Sequence, residues 1–217
     1  PRLILLIMVL TLGGIAGCQQ PEQAEDTDGE PVEPVEYLHA DSATGTSSAA
    51  IVSETTPLAH TTQLFPYDSH GELVGSGDAG AQTQQILDNI ETALSEVDAT
   101  LDNLVKLNVY ARSGGAIDTV QQVFGEELSE SAPPTVMYVE TAFQHEGVAV
   151  AMDAVATTPT GRESDGAPTT RSSDVYGSES LGHTATLPPR ERVYIAGQAE
   201  RTESVVQSTT LTMESLH

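Results

Sequence analysis

The stretch from Ala79 to Arg112 constrains the fold more than any other part of the chain. The apolar residues Ile86, Leu87, Ile90, Ala93, Leu94 and Val97 fall at i, i+1, i+4, i+7, i+8 and i+11, one face of a long helix over residues 79–97. Soon after it, Leu104 to Arg112 alternates. Val105, Leu107 and Val109 share one face, and Lys106, Asn108 and Tyr110 the other, the pattern of a half-buried strand. A long amphipathic helix feeding a strand of period two implies a sheet with helices laid on it.

The flanking sequence supplies the rest of that sheet. Ala50 to Ser53 and Leu58 to Phe65 read as short strands separated by Glu54-Thr55-Thr56-Pro57, and 66–77 is turn-rich. Ile117, Val120, Val123, Phe124 and Leu128 mark a shorter second helix. Thr135 to Thr141 and Val148 to Ala156 read as two further strands joined by a turn at 143–147. The order is ββαβαββ, an α+β domain with two helices on one face of the sheet. Val136 and Tyr138, beside Val148 and Val150, read as a second semi-apolar face that a partner must cover.

Charge narrows the function classes. Eight Lys+Arg stand against 32 Asp+Glu, a formal net charge of −24. Such a field repels phosphate backbones, so no nucleic-acid partner is expected. Aromatic residues are 4% of the chain and Trp is absent, which argues against large aromatic ligand cages. The lone cysteine, Cys18, excludes an internal disulfide or a CxxC site. The six histidines show no HxxxH or HExxH spacing, so no metal is expected, and no P-loop or dinucleotide fingerprint points to a cofactor.

The beginning of the chain is of another kind. Leu3 to Ile15 is an apolar run behind Arg2, too short for a spanning helix and fitting a signal-peptide core. It ends in Ile15-Ala16-Gly17-Cys18, which resembles a bacterial lipobox, with Cys18 as the lipidated thiol. This reading makes residues 1–17 a lipoprotein signal peptide and 18–36 an acidic, Pro-rich disordered tether. The protein is then expected in the bacterial cell envelope, anchored in a membrane by lipid and facing the periplasm or the surface. Residues 37–157 form the folded domain, and 158–180 read as a polar linker before a segment at 181–217.

Several motifs in the folded domain carry a resemblance. Gln82 to Tyr110 resembles the central helix and strand of the RidA family, whose members are also called YjgF or endoribonuclease L-PSP. His60 to Pro66 resembles the family's strand motif, in which a hydroxyl residue precedes Gly-Gln, and Val150 to Ala156 resembles its closing strand. The resemblance covers about residues 50–157. It implies a chorismate-mutase-like mixed sheet and self-association as a trimer, with ligand clefts between subunits. Val193 to Ala199 matches the strand motif again, now with Gly197-Gln198 intact, and Thr209 to Leu216 lines up with Thr83 to Ile90. The chain is therefore expected to be a tandem RidA-like protein whose second copy is cut short, leaving trimer and pseudo-trimer both open. No Met precedes Pro1, and the start is expected to be clipped as well.

The best-studied branch of the family hydrolyses enamines and imines. The resemblance implies an Arg after the second helix that holds the substrate carboxylate, and a Glu on the last strand that positions water. Here Pro133 or Pro134 stands where that Arg is expected, Ala151 where the Glu is expected, and no Lys or Arg lies between Arg112 and Arg162. The residues left as cleft candidates are Thr61, Gln63, Tyr110, Pro133, Tyr138 and Asp153. Arg112, on the Lys106 face, reads mainly as a solvated strand-end side chain. Three functions remain open: a non-deaminating module that binds a small metabolite in an intersubunit cleft, an imine deaminase whose activity sits in the second copy, and a structural surface lipoprotein with empty clefts.

Overall fold

A computed structural model describes residues 35–128, 132–161, 168–176, 182–189 and 204–215. The lipobox, Cys18, the tether to residue 34 and the repeated motif at 193–199 lie outside the described residues. The elements in chain order are β1 (Glu36–Leu38), β2 (Ala49–Ile51), β3 (Leu58–Thr61), α1 (Ala79–Ser95), a turn of 3-10 helix (Leu101–Asn103), β4 (Leu104–Ala111), α2 (Gly114–Glu127), β5 (Thr135–Glu140), β6 (Val150–Thr157), β7 (Thr169–Arg171), β8 (Thr184–Leu187) and α3 (Val205–Ser215).

Six strands make one mixed sheet in the order β5-β4-β6-β3-β8-β7. Only β4 and β5 run parallel, because α2 carries the chain from one to the other as a crossover. The helices lie on one face. Ile86, Ile90, Leu94 and Val97 of the first helical segment meet Val120 and Phe124 of α2, and both meet Leu107, Val109, Val150, Met152 and Ala154 of the sheet. This is the α+β architecture expected from the periodicity. Each helix starts where a side chain can accept its orphan amides: Asp78 Oδ1 accepts from Gly80 and Ala81, and Ser113 Oγ from Ala116.

Three features differ from the sequence reading. The strand expected at 50–53 spans Ala49–Ile51 and pairs with β1, a strand the sequence reading did not include, in a separate two-stranded ladder joining Tyr37 to Ala50. The strand expected over 58–65 stops at Thr61, where the side-chain Oγ1 takes the Ala154 amide of β6; the Thr62 amide still bonds the His183 carbonyl at 2.9 Å on the β8 side, and the chain regains β6 only at Leu64, bridged to Met152. Val136 and Tyr138 do not form a second face. They sit opposite Leu107 and Val109 in the β4–β5 register, and residues paired across a ladder share a face, so both turn toward the helices. In the stretch read as linker and as the start of a second domain, β7 and β8 extend this same sheet.

One buried polar side chain ties these parts together. Gln82, fully buried in the first turn of α1, donates through Nε2 to the carbonyls of Gly75 (2.8 Å) and Gly147 (2.6 Å). Its Oε1 accepts the amides of Ala149 (2.7 Å) and Val150 (3.3 Å), where β6 begins. Replacing it with an apolar residue of similar length orphans a buried amide and removes the bonds to two carbonyls. Gln82→Leu is predicted to lower the unfolding free energy by roughly 2–4 kcal/mol, read from urea denaturation; an unchanged midpoint would contradict this role.

Candidate functional site

The face of the sheet away from the helices carries the functional candidates, and the strand register sorts them into rows. Thr135, Lys106, Val155 and His60 line up across β5, β4, β6 and β3. The next row is Met137, Asn108 and Asp153, and the third is Val139, Tyr110 and Ala151. Met137 is 44% exposed, and Ala151 is completely buried although it lies on this face. In the middle row Asn108 Nδ2 donates to Asp153 Oδ1 at 2.7 Å, while Asn108 Oδ1 is buried without a partner among the described residues. The acid is thus held by an amide rather than left to act on a water. Burial, and then the nearby Asp153 carboxylate, push the Tyr110 phenol above its ordinary value.

At the end of the first row is a cavity of about 260 Å³, lined by Ala50, Val52, Leu58, Val105, Lys106, Thr135 and Val155. Its walls are apolar except for one hydroxyl and one ammonium. The hydroxyl of Thr135 is turned to the Val105 carbonyl at 3.1 Å. Lys106 is exposed and is the only lysine in the chain. This residue was missed as a candidate: it read simply as the outward member of an alternating strand. The signal was available in its rarity within so acidic a chain, and in the register that sets it opposite Thr135, directly after the Pro-Pro pair.

The other candidates are scattered. Tyr110 and Asp153 share the open face. Thr61 lies at the end of β3, where its Oγ1 accepts the Ala154 amide at 2.9 Å and closes the ladder. Gln63 is exposed in the segment that leaves the ladder. Pro133 is buried before β5, and the neighbouring Pro134 carbonyl accepts the Ser47 amide at 2.9 Å. Tyr138 is on the helix side, where burial pushes its phenol up to about 12. Arg112 is exposed at the strand end, as expected, but its guanidinium is also engaged. Its Nε and Nη2 donate to the carbonyls of Val148 and His145 at 2.6–2.8 Å, and its guanidinium lies 5.9 Å from the Phe143 ring centre. It holds the loop before β6.

That loop borders a second cavity, a cup of about 380 Å³ lined by Phe65, Tyr67, Ala142, Phe143, Gln144, His145 and Val148. Phe65 meets Tyr67 and Phe143 with ring centres 6.3 and 6.4 Å apart, and Tyr176 lies 5.4 Å from Tyr67. Low aromatic content therefore did not prevent an aromatic cluster, because four of the nine rings are gathered here. Asn89 braces it, donating through Nδ2 to the carbonyls of Phe65 and Tyr67, each at 3.0 Å. Among the described residues no group of three His, Cys, Asp or Glu side chains is placed to hold a metal.

The family model described as Endoribonuclease L-PSP matches residues 39–158, the sheet and helices that carry this face. The chain belongs to that family. It is 34% identical to a RutC family protein of Pyrococcus abyssi over 86 residues, 40% of this chain and 66% of that protein. It is 26% identical to the 3-aminoacrylate deaminase RutC of Acinetobacter baylyi, over 35% of this chain and 60% of that one. The chain thus spans no more than about two thirds of either relative. Among solved structures, a Rid-family protein of unknown function from Yersinia pestis is 26% identical, covering 58% of this chain and 97% of that one at a TM-score of 0.44. RidA from an Antarctic Psychrobacter is 24% identical, covering 51% and 86% at a TM-score of 0.43.

The tyrosines give this Endoribonuclease L-PSP domain a pH signature. Tyr37 donates to the Leu104 carbonyl at 2.7 Å, and burial, followed by Asp102, pushes it up to about 12. Tyr110 and Tyr138 are raised as well. A phenol whose folded pKa is raised binds its proton more tightly in the folded chain. The stability it contributes is full below the unfolded value of 10.0 and is lost as pH climbs toward about 12. Urea midpoints are predicted to fall between about pH 10 and about pH 12, and to fall less in Tyr138→Phe. A midpoint flat across that window in the unsubstituted chain would contradict the burial of these rings.

Proposed function

We propose that this domain binds a small carboxylate-bearing metabolite at the Lys106 end of the open face and does not itself deaminate it. One observation carries the reading: the only lysine borders an apolar cavity of about 260 Å³ beside the strand start where the family resemblance implies a carboxylate-holding Arg. A cation facing a small apolar space suits a short acid, its charge on the ammonium and its carbon skeleton against Val105, Val155 and Leu58. Hydrolysis of an imine needs in addition an acid that positions water. Position 151 is a buried Ala, and the neighbouring acid, Asp153, is engaged by Asn108.

Self-association completes the proposal. A second copy of the fold covers the face bearing Met137, Val139 and Val155, as a trimer or pseudo-trimer, and supplies the other wall of the cleft. The Cys18 anchor and acidic tether hold the domain at a membrane of the bacterial envelope, so Cys18→Ser is expected to move the protein from the membrane fraction to the soluble one.

Calorimetry with 2-oxobutyrate tests the binding. The expected result is saturable uptake that weakens roughly tenfold, about 1.4 kcal/mol, in Lys106→Gln. Freshly generated iminobutyrate is expected to hydrolyse at the buffer rate in the presence of the chain. Hydrolysis well above that rate would replace the binding module with the deaminase that the Acinetobacter relative's name describes.

A further inference from the structure

Strands that follow each other in a chain usually pair. Here β2 ends at Ile51 and β3 begins at Leu58, a connection short enough for a hairpin, yet the edge of β3 is taken by β8. The repeated strand motif explains which segment has intruded. Aligning Gln198 on Gln63 sets an offset of 135 residues, which places Thr184, Ala185 and Thr186 on Ala49, Ala50 and Ile51. The strand beside β3 is therefore the counterpart of β2 from the second copy.

The pairing of the two hairpins agrees with that assignment. Glu36, Tyr37 and Leu38 pair with Ile51, Ala50 and Ala49. Thr169, Thr170 and Arg171 pair with Thr186, Ala185 and Thr184, the same three positions in the same order. A helix, α3, also overlaps the stretch Thr209 to Leu216, which lines up with Thr83 to Ile90 of α1 at a shorter offset of 126 residues.

We propose that the second copy's hairpin displaces the first's: β7–β8 occupies the sheet edge that β1–β2 would otherwise take, while β1–β2 stays with the first copy at another place. This rests on the repeat in the sequence and not on the ligand reading above. The intruding hairpin is anchored well beyond its ladder. Thr184 Oγ1 donates to the Ala93 carbonyl of α1 at 2.9 Å, and the His183 carbonyl accepts the Thr62 amide. Val175 enters the main core, and Tyr176 packs on Tyr67 over Gly71, where any side chain would strike its ring.

The displaced hairpin is put to another use. Ser47 bonds the Pro134 carbonyl, Tyr37 bonds the Leu104 carbonyl, and Ala50 and Val52 become walls of the Lys106 cavity. Gly45, with φ +62°, lets its loop lie against the end of α2, where a Cβ would come within 2.5 Å of the Phe124 carbonyl oxygen. The displacement therefore builds the cavity: on the β3 edge, β2 would sit in the sheet rather than face Lys106.

The two arrangements make exclusive cross-links. Displacement pairs His60 with Ala185, whereas the same offset applied to an undisplaced hairpin pairs His60 with Ala50. Opposed residues in an antiparallel ladder have Cα atoms about 4.5–5.5 Å apart, within disulfide reach. In a full chain carrying Cys18→Ser, His60→Cys with Ala185→Cys is expected to oxidise to a disulfide within one chain, at unchanged mass. His60→Cys with Ala50→Cys is expected to form roughly tenfold less. The reverse ratio, or a 60–185 bond that joins two chains, would overturn the proposal. Amide hydrogen exchange on the unsubstituted chain gives a reading free of any substitution. Residues 184–187 are expected to be protected as strongly as 58–61, and rapid exchange over 184–187 would overturn the displacement whatever the cross-links show.

Discussion

Everything on the helix side of this domain depends on the buried amide of Gln82. Its four hydrogen bonds reach the loop before α1, the loop before β6 and the first amides of β6. A carboxamide is the only uncharged side chain that both donates twice and accepts twice. Its burial would cost several kcal/mol without those partners. Because they are satisfied, α1 is fixed in register over the sheet, and with it the parity of β6. That parity sends Val150, Met152 and Ala154 into the core and leaves Ala151, Asp153 and Val155 on the open face. Arg112 secures the same corner from outside, through the carbonyls of His145 and Val148.

The open face is the chemical consequence. Its rows are fixed by β4, β5 and β6, elements confined to the first copy, whereas the cavity at its end is walled by β2 as well. Lys106 would otherwise stand on a bare sheet. Ala50 and Val52 join Lys106, Val105 and Val155 in lining a small, largely apolar space, the setting on which the proposed carboxylate site rests. With β8 paired to β3, β2 lies away from that edge, and Ala50 and Val52 are left to line the cavity.

The parts of this arrangement legible in the sequence are those encoded locally. Helix periodicity from Ile86 to Val97, strand alternation from Leu104 to Arg112, and the family motifs were enough for the α+β sheet and for placing Asp153 opposite Val150 and Met152. The rest depends on register, which couples distant residues and leaves little local trace. Tyr138 was put on the wrong face because nothing near it reveals that it lies opposite Val109. Gln82 lay outside the apolar set that marked the helix, although it is among the most buried residues. Arg112 is exposed as read, but its bonds went unseen because its partners are carbonyls, which no side-chain pattern announces. Strand β2 was legible as a strand, but nothing local says which edge it joins.

The most direct measurement uses the fact that Lys106 has no rival. A chain isotopically labelled at lysine alone gives a single side-chain ammonium signal by NMR, and that signal reports on the cavity. Titration with pyruvate is predicted to shift it saturably, while pyruvamide, of the same shape but uncharged, leaves it in place. A signal that moves equally with both, or with neither, would contradict a carboxylate site at Lys106.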